Sequence, residues 1–397
     1  MMINKFDNIC FMQNKFQRII SKNTVGNTNV LTISAQHGLI NQFEYYNHQY
    51  ASENTSGYTL LKKGDFAYNK SYSDGYPWGA TKRLERYEAG IVSPLYICFS
   101  AKDGICADFY SYYFESEPFF REIYKIAQEG ARNHGLLNVS TEDFFKISIA
   151  NPPLEEQRRI AEILGCCDRV IALKKELIAE KKKQKKALMQ KLLNPDSGFR
   201  LPGFSGEWKS QKLGTICNTF SGGTPDRSHP EYFNGTIPWI KSGELNTRLI
   251  TDAEEYISEQ ALENSSAKMV DADTLLIAMY GATAGVIAIT KIKAAINQAI
   301  LSIVHDNSID KVFLMYSLQN QIDLAISKYT QGGQPNFNAA IIKSLPINAP
   351  KLDEQQAIAD ILSAADKEID LLEQELAQQE QKKKSLMQLL LTGTVRV

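Results

Sequence analysis

A stretch of about forty residues that occurs twice limits most strongly what this chain can fold into. Residues 154–193, LEEQRRIAEILGCCDRVIALKKELIAEKKKQKKALMQKLL, return at 352–391 as LDEQQAIADILSAADKEIDLLEQELAQQEQKKKSLMQLLL, without a gap and with roughly 18 of about 40 positions identical. Glu156 matches Glu354, Gln157 matches Gln355, Ile163 and Leu164 match Ile361 and Leu362, and Leu188-Met189-Gln190 matches Leu386-Met387-Gln388. Neither copy contains Gly or Pro apart from Gly165, and both are rich in Leu, Lys, Glu, Gln and Ala, which are good helix formers.

Apolar residues recur at Leu164, Cys167, Ile171, Ile178, Leu188 and Leu192, and again at Leu362, Ala365, Ile369, Leu372, Leu376, Leu386 and Leu390. Spacings of three and four sustained this long predict a coiled coil. Lys174, Lys181 and Lys185 interrupt the first seam, and Gln379 and Lys383 the second. Such breaks lower stability and help to fix register. The second half of copy one is basic (Lys174, Lys175, Lys181 to Lys183, Lys185, Lys186, Lys191), and the first half of copy two is acidic (Asp353, Glu354, Asp360, Asp366, Glu368, Asp370, Glu373, Glu375). Parallel packing sets Lys181 to Lys186 beside Lys382 to Lys384, whereas antiparallel packing sets base against acid. The expectation is an intramolecular antiparallel pair of helices, each roughly 60 Å long at 1.5 Å per residue.

Around these helices lie two globular regions. The chain of 397 residues is too long for one ordinary core. Residues 1–150 are aromatic and β-prone: NVLTISAQ (29–36) and SPLYICF (93–99) read as strands, 68–83 and 130–138 as loops rich in Gly, Asn and Tyr, and SEPFFREIYKIAQ (116–128) as a helix. Asn151-Pro152-Pro153 ends that region and starts the first long helix, 151–195. DSGFRLPGFSGEW (196–208) reads as a linker into a second region, 196–347. There 235–245 and 273–289 read as strand and turn, and 309–326 as a helix, before the second long helix, 348–397. KLGTIC (212–217) resembles KFDNIC (5–10), and Asn138, Ile149 and Pro152 match Asn336, Ile347 and Pro350 at the offset of the helices. The fold class expected is therefore α/β (α+β): two globular domains of mixed strands and short helices, joined by two long α-helices in an antiparallel coiled coil. The repeat implies a pseudo-two-fold axis, which suits a target made of two separated half-sites.

Net charge is −1, so charge alone points to no nucleic-acid partner. Cys10, Cys98, Cys106, Cys166, Cys167 and Cys217 form no metal or redox spacing, which fits a reducing cytoplasm. Cys166-Cys167 is read as small core filler, since copy two has Ala364-Ala365 there. MMINKFDNIC carries no signal-peptide run. The longest uncharged run, 274–290, falls short of a membrane span and reads as two buried strands turning at Gly281 to Gly285.

The order of globular region, LEEQ-type helix, GF-x-GEW linker, globular region and LDEQ-type helix resembles the specificity subunit (HsdS) of type I restriction–modification systems. The marks are NPPLEEQRRIAEIL, KKKQKKALMQKLL, RLPGFSGEWKSQKLG, SGGTPDRSHPEYFNGTIPWI, and GGQPNFN followed by PKLDEQQAIADIL. The resemblance covers essentially the whole chain. It implies two target-recognition domains that each read one half of a bipartite asymmetric sequence in double-stranded DNA. It also implies paired helices that set the gap and dock two modification subunits. The modification subunit carries S-adenosylmethionine and methylates adenine, and a motor and nuclease restriction subunit completes the complex. The chain itself is expected to have no catalytic residue, no cofactor, no metal and no membrane contact. One departure is that the first domain begins at KFDNIC without the GF-x-GEW lead, so either that lead is dispensable or the start is trimmed.

Base readout needs Arg, Lys, Asn or Gln at base edges, with phosphate contacts fixing register. In the first domain the candidates are Asn69, Lys70, Ser71, Tyr72, Lys82, Arg83, Arg132, Asn133 and His134. In the second they are Thr224, Arg227, Lys241, Ser242, Tyr280, Thr283, Gln334 and Asn336. Against each stands a bland alternative, because polar residues beside Gly also serve turns. SGGTPDRS (221–228) and YGATAG (280–285) are not phosphate loops and are read first as turns. The histidines His37, His48, His134, His229 and His305 lack metal spacing and read as structural or surface groups. The Lys runs 181–186 and 382–384 read as a coiled-coil flank or a face for the modification subunit. A rival from another class is an adenine methyltransferase built on Asn151-Pro152-Pro153. Leu154 as the fourth residue, and a helix directly after it, favour a helix start instead. A coiled-coil scaffold without a DNA role is the third reading.

Overall fold

The computed structural model describes residues 5–34, 37–48, 50–71, 76–127, 137–306, 308–331, 334–335 and 337–397, the side chains of 326–331 and 334–335 excepted. The chain divides into two compact units, Met1–Lys175 with Gln374–Val397 and Glu176–Glu373. Both boundaries fall inside the long helices, Leu154–Leu192 and Leu352–Leu390.

In the first unit, strand Ile9–Phe11 pairs antiparallel with Ser148–Ala150, and the single turn Met12–Lys15 buries Met12. An antiparallel sheet follows in the order Phe16–Arg18, Ile97–Ala101, Phe66–Asn69, Ala80–Arg83. The two ends of the stretch 68–83 expected as a loop are strand instead: Tyr68 and Asn69 pair with Thr81 and Ala80, and Tyr68 and Ala80 are buried in the sheet; residues 72–75 lie outside the described residues. The expected strand at 93–99 begins only at Ile97, since Pro94 cannot donate to a ladder. Helices Ala107–Tyr113, Glu117–Ile126 and Thr141–Lys146 cover the sheet, and the core between them is aromatic. Phe16 meets Phe66, Phe99 and Tyr110 edge-on with centroids 5.8, 5.4 and 5.1 Å away. Each such pair adds about 1 kcal/mol beyond area burial. Ile160, Ala161, Leu164, Leu390 and Leu391 of the long helices enter the same core.

The second unit repeats this frame. Lys209–Lys212 pairs antiparallel with Pro346–Ala349, the turn Leu213–Ile216 buries Leu213, and a sheet follows in the order Cys217–Ser221, Ile300–His305, Leu275–Ala278, Ile287–Thr290. A fifth strand, Leu249–Ile250, is parallel to the last. Whereas among the described residues the first unit's further strands form two separate pairs, Leu31–Ser34 with Gly38–Asn41 and Thr59–Lys62 with Ala89–Val92, a second sheet of four strands here runs Glu255–Ile257, Ile237–Ile240, Ala294–Ile296, Lys268–Val270. Its approach to the loop at 222–223 leaves no room for side chains: a Cβ on Gly222 would lie 1.8 Å from the Ile296 carbonyl oxygen. The core here is mostly aliphatic and takes in Met189, Leu192, Leu193, Ile358, Ala359 and Leu362. The expected turn at Gly281 to Gly285 links Leu275–Ala278 to Ile287–Thr290, with both glycines at positive φ, 86° and 84°.

Along the long helices the residues three and four apart are the covered ones. Ile160, Leu164, Ile178 and Leu192 are buried, as are Ile358, Leu362, Ile369 and Leu390. The lysines that interrupt this pattern are not simply exposed. In the first unit Lys174 pairs with Glu375 (2.6 Å), Lys175 with Glu380 (2.8 Å) and Lys383 with Asp168 (2.6 Å). In the second, Lys181 pairs with Glu368 (2.6 Å), Lys182 with Glu373 (2.7 Å) and Lys185 with Asp366 (2.6 Å). The four that interrupt the seams, Lys174, Lys181, Lys185 and Lys383, are thus mostly covered, and each meets a carboxylate on the other helix. Of the two adjacent cysteines, Cys167 is half-buried and Cys166 is exposed, so only one fills the seam. The stretch 196–208 is strapped down rather than loose. Arg200 bonds both carboxylate oxygens of Glu354, at 3.0 and 2.6 Å, and Trp208 packs against Phe313.

Candidate nucleic-acid interface

Most of the candidate readers in the first unit are tied to their own fold. Asn69 accepts from the Ser71 amide (3.0 Å), and the Lys70 amine, its pKa lowered by burial, donates to the Val139 carbonyl (3.0 Å). Burial works against the Lys82 charge, but Glu115 and Tyr76 outweigh it and raise its pKa. Arg83 is held by Glu85 and Asp108, with its guanidinium over Phe66. Asn69 and Arg83 sit at opposite ends of one hairpin, so these candidates do not form a single cluster. Tyr72, Arg132, Asn133 and His134 lie outside the described residues.

The surface that invites a partner in this unit is one the sequence reading passed over. Helix Gln42–Tyr46 is capped by Asn41, whose carbonyl oxygen Oδ1 accepts from the Phe43 and Glu44 amides, and it ends at Asn47 with φ of 51°. It presents Phe43, Tyr45 and Tyr46, and Tyr50 follows; all four rings are exposed, Tyr50 by 70%. The three tyrosines form a chain of edge contacts with a histidine at each end: His37 to Tyr45 (6.2 Å), Tyr45 to Tyr46 (4.6 Å), Tyr46 to Tyr50 (5.2 Å) and His48 to Tyr50 (5.1 Å). Exposed rings gathered this way mark an interaction surface, and base faces stack on such rings. The signal was present in QFEYYNHQY (42–50), an aromatic and amide-rich run with no core periodicity.

In the second unit Glu255 gathers two candidates. Its carboxylate takes Arg227 at 3.0 Å and Lys241 at 2.9 Å, and Lys241 also reaches Glu254 at 3.1 Å. The hydrogen bond from Lys241 is the main cause of the lowered Glu255 pKa. Arg227 lies over Phe233 (4.8 Å) and Trp239 (5.7 Å) and is exposed. Ser242 follows Lys241 directly, and Thr224, exposed, bonds Gln298. These four share one region beside the second sheet. Tyr280 and Thr283 belong to the other sheet's turn: Tyr280 is 40% exposed, but Thr283 is buried and unavailable to a partner. The Gln334 side chain and Asn336 lie outside the described residues.

Asn151-Pro152-Pro153 leads straight into the first long helix, and the Pro152 and Pro153 carbonyls accept from the Gln157 side chain (2.8 Å) and amide (3.0 Å). Those carbonyls are committed to starting a helix. Among the described residues no His, Cys, Asp and Glu groups are gathered as a metal site, and no helix is long and apolar enough to cross a membrane.

Beneath these surfaces both units share one set of attachments to the long helices. The Gln157 side-chain oxygen caps Cys106 N at 2.9 Å, and Gln355 caps Asp310 N at 2.8 Å. Gln355 also donates to the Pro350 carbonyl as Gln157 does to Pro152. Arg396 grips Glu156 as Arg200 grips Glu354.

The family description of a type I restriction modification DNA specificity domain matches residues 86–182 and 205–381, one stretch in each half and more than half of the chain. The chain belongs to this family. It is 31% identical over 215 residues to the type I restriction enzyme EcoR124I/EcoR124II specificity subunit of Escherichia coli, across 52% of this chain and 51% of that one. This chain thus spans about half the length of that relative. The MjaVIII specificity subunit of Methanocaldococcus jannaschii is 27% identical across 78% of this chain and 75% of its own. Among solved structures, a chain from a type I R-M system shares the fold with a TM-score of 0.61 at 18% identity, covering 98% of both chains. The S subunit of a type I system from M. genitalium does so with a TM-score of 0.56 at 17% identity, covering 98% of this chain and 99% of that one.

Proposed function

We propose that this chain is the DNA sequence-specificity subunit of a cytoplasmic type I restriction–modification complex and does no chemistry itself. Regions 1–150 and 196–347 each read one half of a bipartite asymmetric duplex target. The long helices, 151–195 and 348–397, pair antiparallel as a coiled coil about a pseudo-two-fold axis, hold the readers at a set separation and dock two modification methyltransferase subunits. A restriction subunit with motor and nuclease activity joins the assembly. The observation that carries this reading is the family match falling once in each half, on a frame repeated from strand order to ion pairs. The antiparallel pairing is supported by the descending partner numbers of Lys181 and Lys185 with Glu368 and Asp366. For the readers we assign the Phe43, Tyr45, Tyr46 and Tyr50 surface with Asn69 and Ser71 in the first half. In the second we assign Thr224, Arg227, Lys241, Ser242 and Tyr280.

The test is an insertion. Adding four residues to each long helix lengthens it by roughly 6 Å, which is about two base pairs at 3.4 Å each. Mapping of methylated adenines in cells carrying that variant should show a gap longer by about two base pairs, and an unchanged gap rules the ruler out. The chain with its modification subunit should bind duplex DNA in a salt-dependent way, which a pure scaffold does not. The chain alone should neither bind S-adenosylmethionine nor methylate DNA, and activity there would restore the methyltransferase alternative.

A further inference from the structure

The same three side chains meet in both units at the same distances. In the first, the Tyr112 hydroxyl donates to Asp168 Oδ2 at 2.7 Å, Lys383 Nζ donates to Asp168 Oδ1 at 2.6 Å, and the ammonium lies 5.3 Å from the Tyr112 ring centre. In the second, the Tyr316 hydroxyl donates to Asp366 Oδ2 at 2.7 Å, Lys185 reaches Asp366 Oδ1 at 2.6 Å, and its ammonium lies 5.2 Å from the Tyr316 ring. Tyrosine comes from a helix of the globular part, aspartate from one long helix and lysine from the other. The roles of the long helices exchange between units: the first gives Asp168 and Lys185, the second gives Lys383 and Asp366. Burial, then the facing carboxylate, raises both phenols, so the hydroxyls keep their protons and donate.

We propose that these two junctions are positioning sites that lock each reader to the helix pair, and so determine how strictly the chain accepts one spacing between its half-sites. The proposal rests on the reading of the units as half-site readers. Its geometry is specific. Each globular helix is held at two points on one face of a long helix. A glutamine grips the residue six positions before the tyrosine, and the aspartate sits eleven residues after that glutamine, in both copies. A two-point attachment fixes direction as well as position. The lysine adds the second helix, so within each unit a slip of one helix past the other by one residue, about 1.5 Å, breaks that unit's junction.

The junctions differ in one respect. Arg248 adds bonds to Asp366 (2.7 Å) and Asp370 (2.6 Å) and stands in the cleft over the second junction, which has a volume of about 500 Å3. The cleft over the first junction is about 870 Å3. The first reader therefore depends on its tyrosine more than the second does.

The experiment uses the full chain with its modification subunit and a series of duplexes in which the mapped half-sites stand at different spacings. Tyr112→Phe keeps the ring under Lys383 and removes only the hydroxyl. It should cut the preference for the natural spacing over spacings one base pair away by about tenfold, with base preference inside each half-site unchanged. Tyr316→Phe should cut it less, and Tyr316→Phe with Arg248→Ala should match Tyr112→Phe. Lys383→Gln provides a second route to the first junction should Tyr112→Phe fail to fold. Unchanged spacing preference in folded variants, with only a lower melting temperature, overturns the proposal and leaves the junctions as packing. A wild-type complex that binds no bipartite duplex fails the underlying reading instead, before any variant is made.

Discussion

Where the first unit exposes four aromatic rings on Gln42–Tyr46 and beyond, the second gathers an exposed Arg227 and a half-buried Lys241 around Glu255. Where the first packs a core of phenylalanine and tyrosine, the second packs aliphatics. Yet Gln157 and Gln355, Glu156 and Glu354, and Asp168 and Asp366 make the same bonds in both. Residues that attach a globular part to the helices are thus repeated, and residues that face outward are not. This is the pattern expected of a frame carrying two different readings.

The attachments offer the largest effect. The Glu354 and Glu156 side chains are 2% and 7% exposed, and the arginines that answer them, Arg200 and Arg396, are 30% and 44% exposed. Arg200→Ala leaves a buried carboxylate unpaired and should destabilise the second unit by about 3 kcal/mol. Arg396→Ala also strands a buried carboxylate and should cost somewhat less, because both members of that pair are the more exposed and solvent screens them more. Hydrogen exchange read separately over each unit's sheet measures both, and equal losses would contradict the asymmetry.

Next comes the outward face. Arg227→Ala should lower affinity for one half-site by about thirty-fold, or about 2 kcal/mol, and leave the other half untouched. Tyr46→Ala should do the converse. Competition binding with duplexes altered in one half at a time separates the two, and loss at both halves together would mean that the readers are not independent.

A smaller and symmetrical effect is expected at the caps. Gln157 and Gln355 are each nearly fully buried, and each bridges a proline carbonyl and a helix-start amide. Gln157→Ala and Gln355→Ala should cost about 1.5 kcal/mol each, since a buried amide loses its partner. Denaturant melts of the two variants should coincide.

The two long helices were legible because heptad spacing and charge are local and were written twice. The lysines at 174, 181, 185 and 383 read as interruptions, because only their partners at Glu375, Glu368, Asp366 and Asp168 show why they belong there. The site was less legible. Lys70, Lys82 and Arg83 have the composition of readers but are held by Val139, Glu115 and Asp108, which are distant in sequence. The hairpin at 68–83 was hidden by its Gly, Asn and Tyr content, as its strands are defined by pairing with each other and with Ile97–Ala101. The aromatic run at 42–50 was visible but obeys no period, so only its exposure distinguishes it from core.

The smallest effect compares the two sheets through their cysteines. Cys98 and Cys217 are both buried, and burial pushes their thiols up to about 12 and about 11. The thiolate is the reactive form, so at pH 8 both carry almost none, Cys98 the less. Raising the pH toward 10 should increase labelling at both in parallel while leaving Cys98 behind. Cys166, exposed on the first long helix, provides the fast reference. Mass spectrometry of the chain after timed alkylation reads all three sites at once. Should Cys98 react as fast as Cys217, the first unit's sheet opens more readily than its aromatic core implies, and the first reader would be the looser of the two for a reason other than its junction.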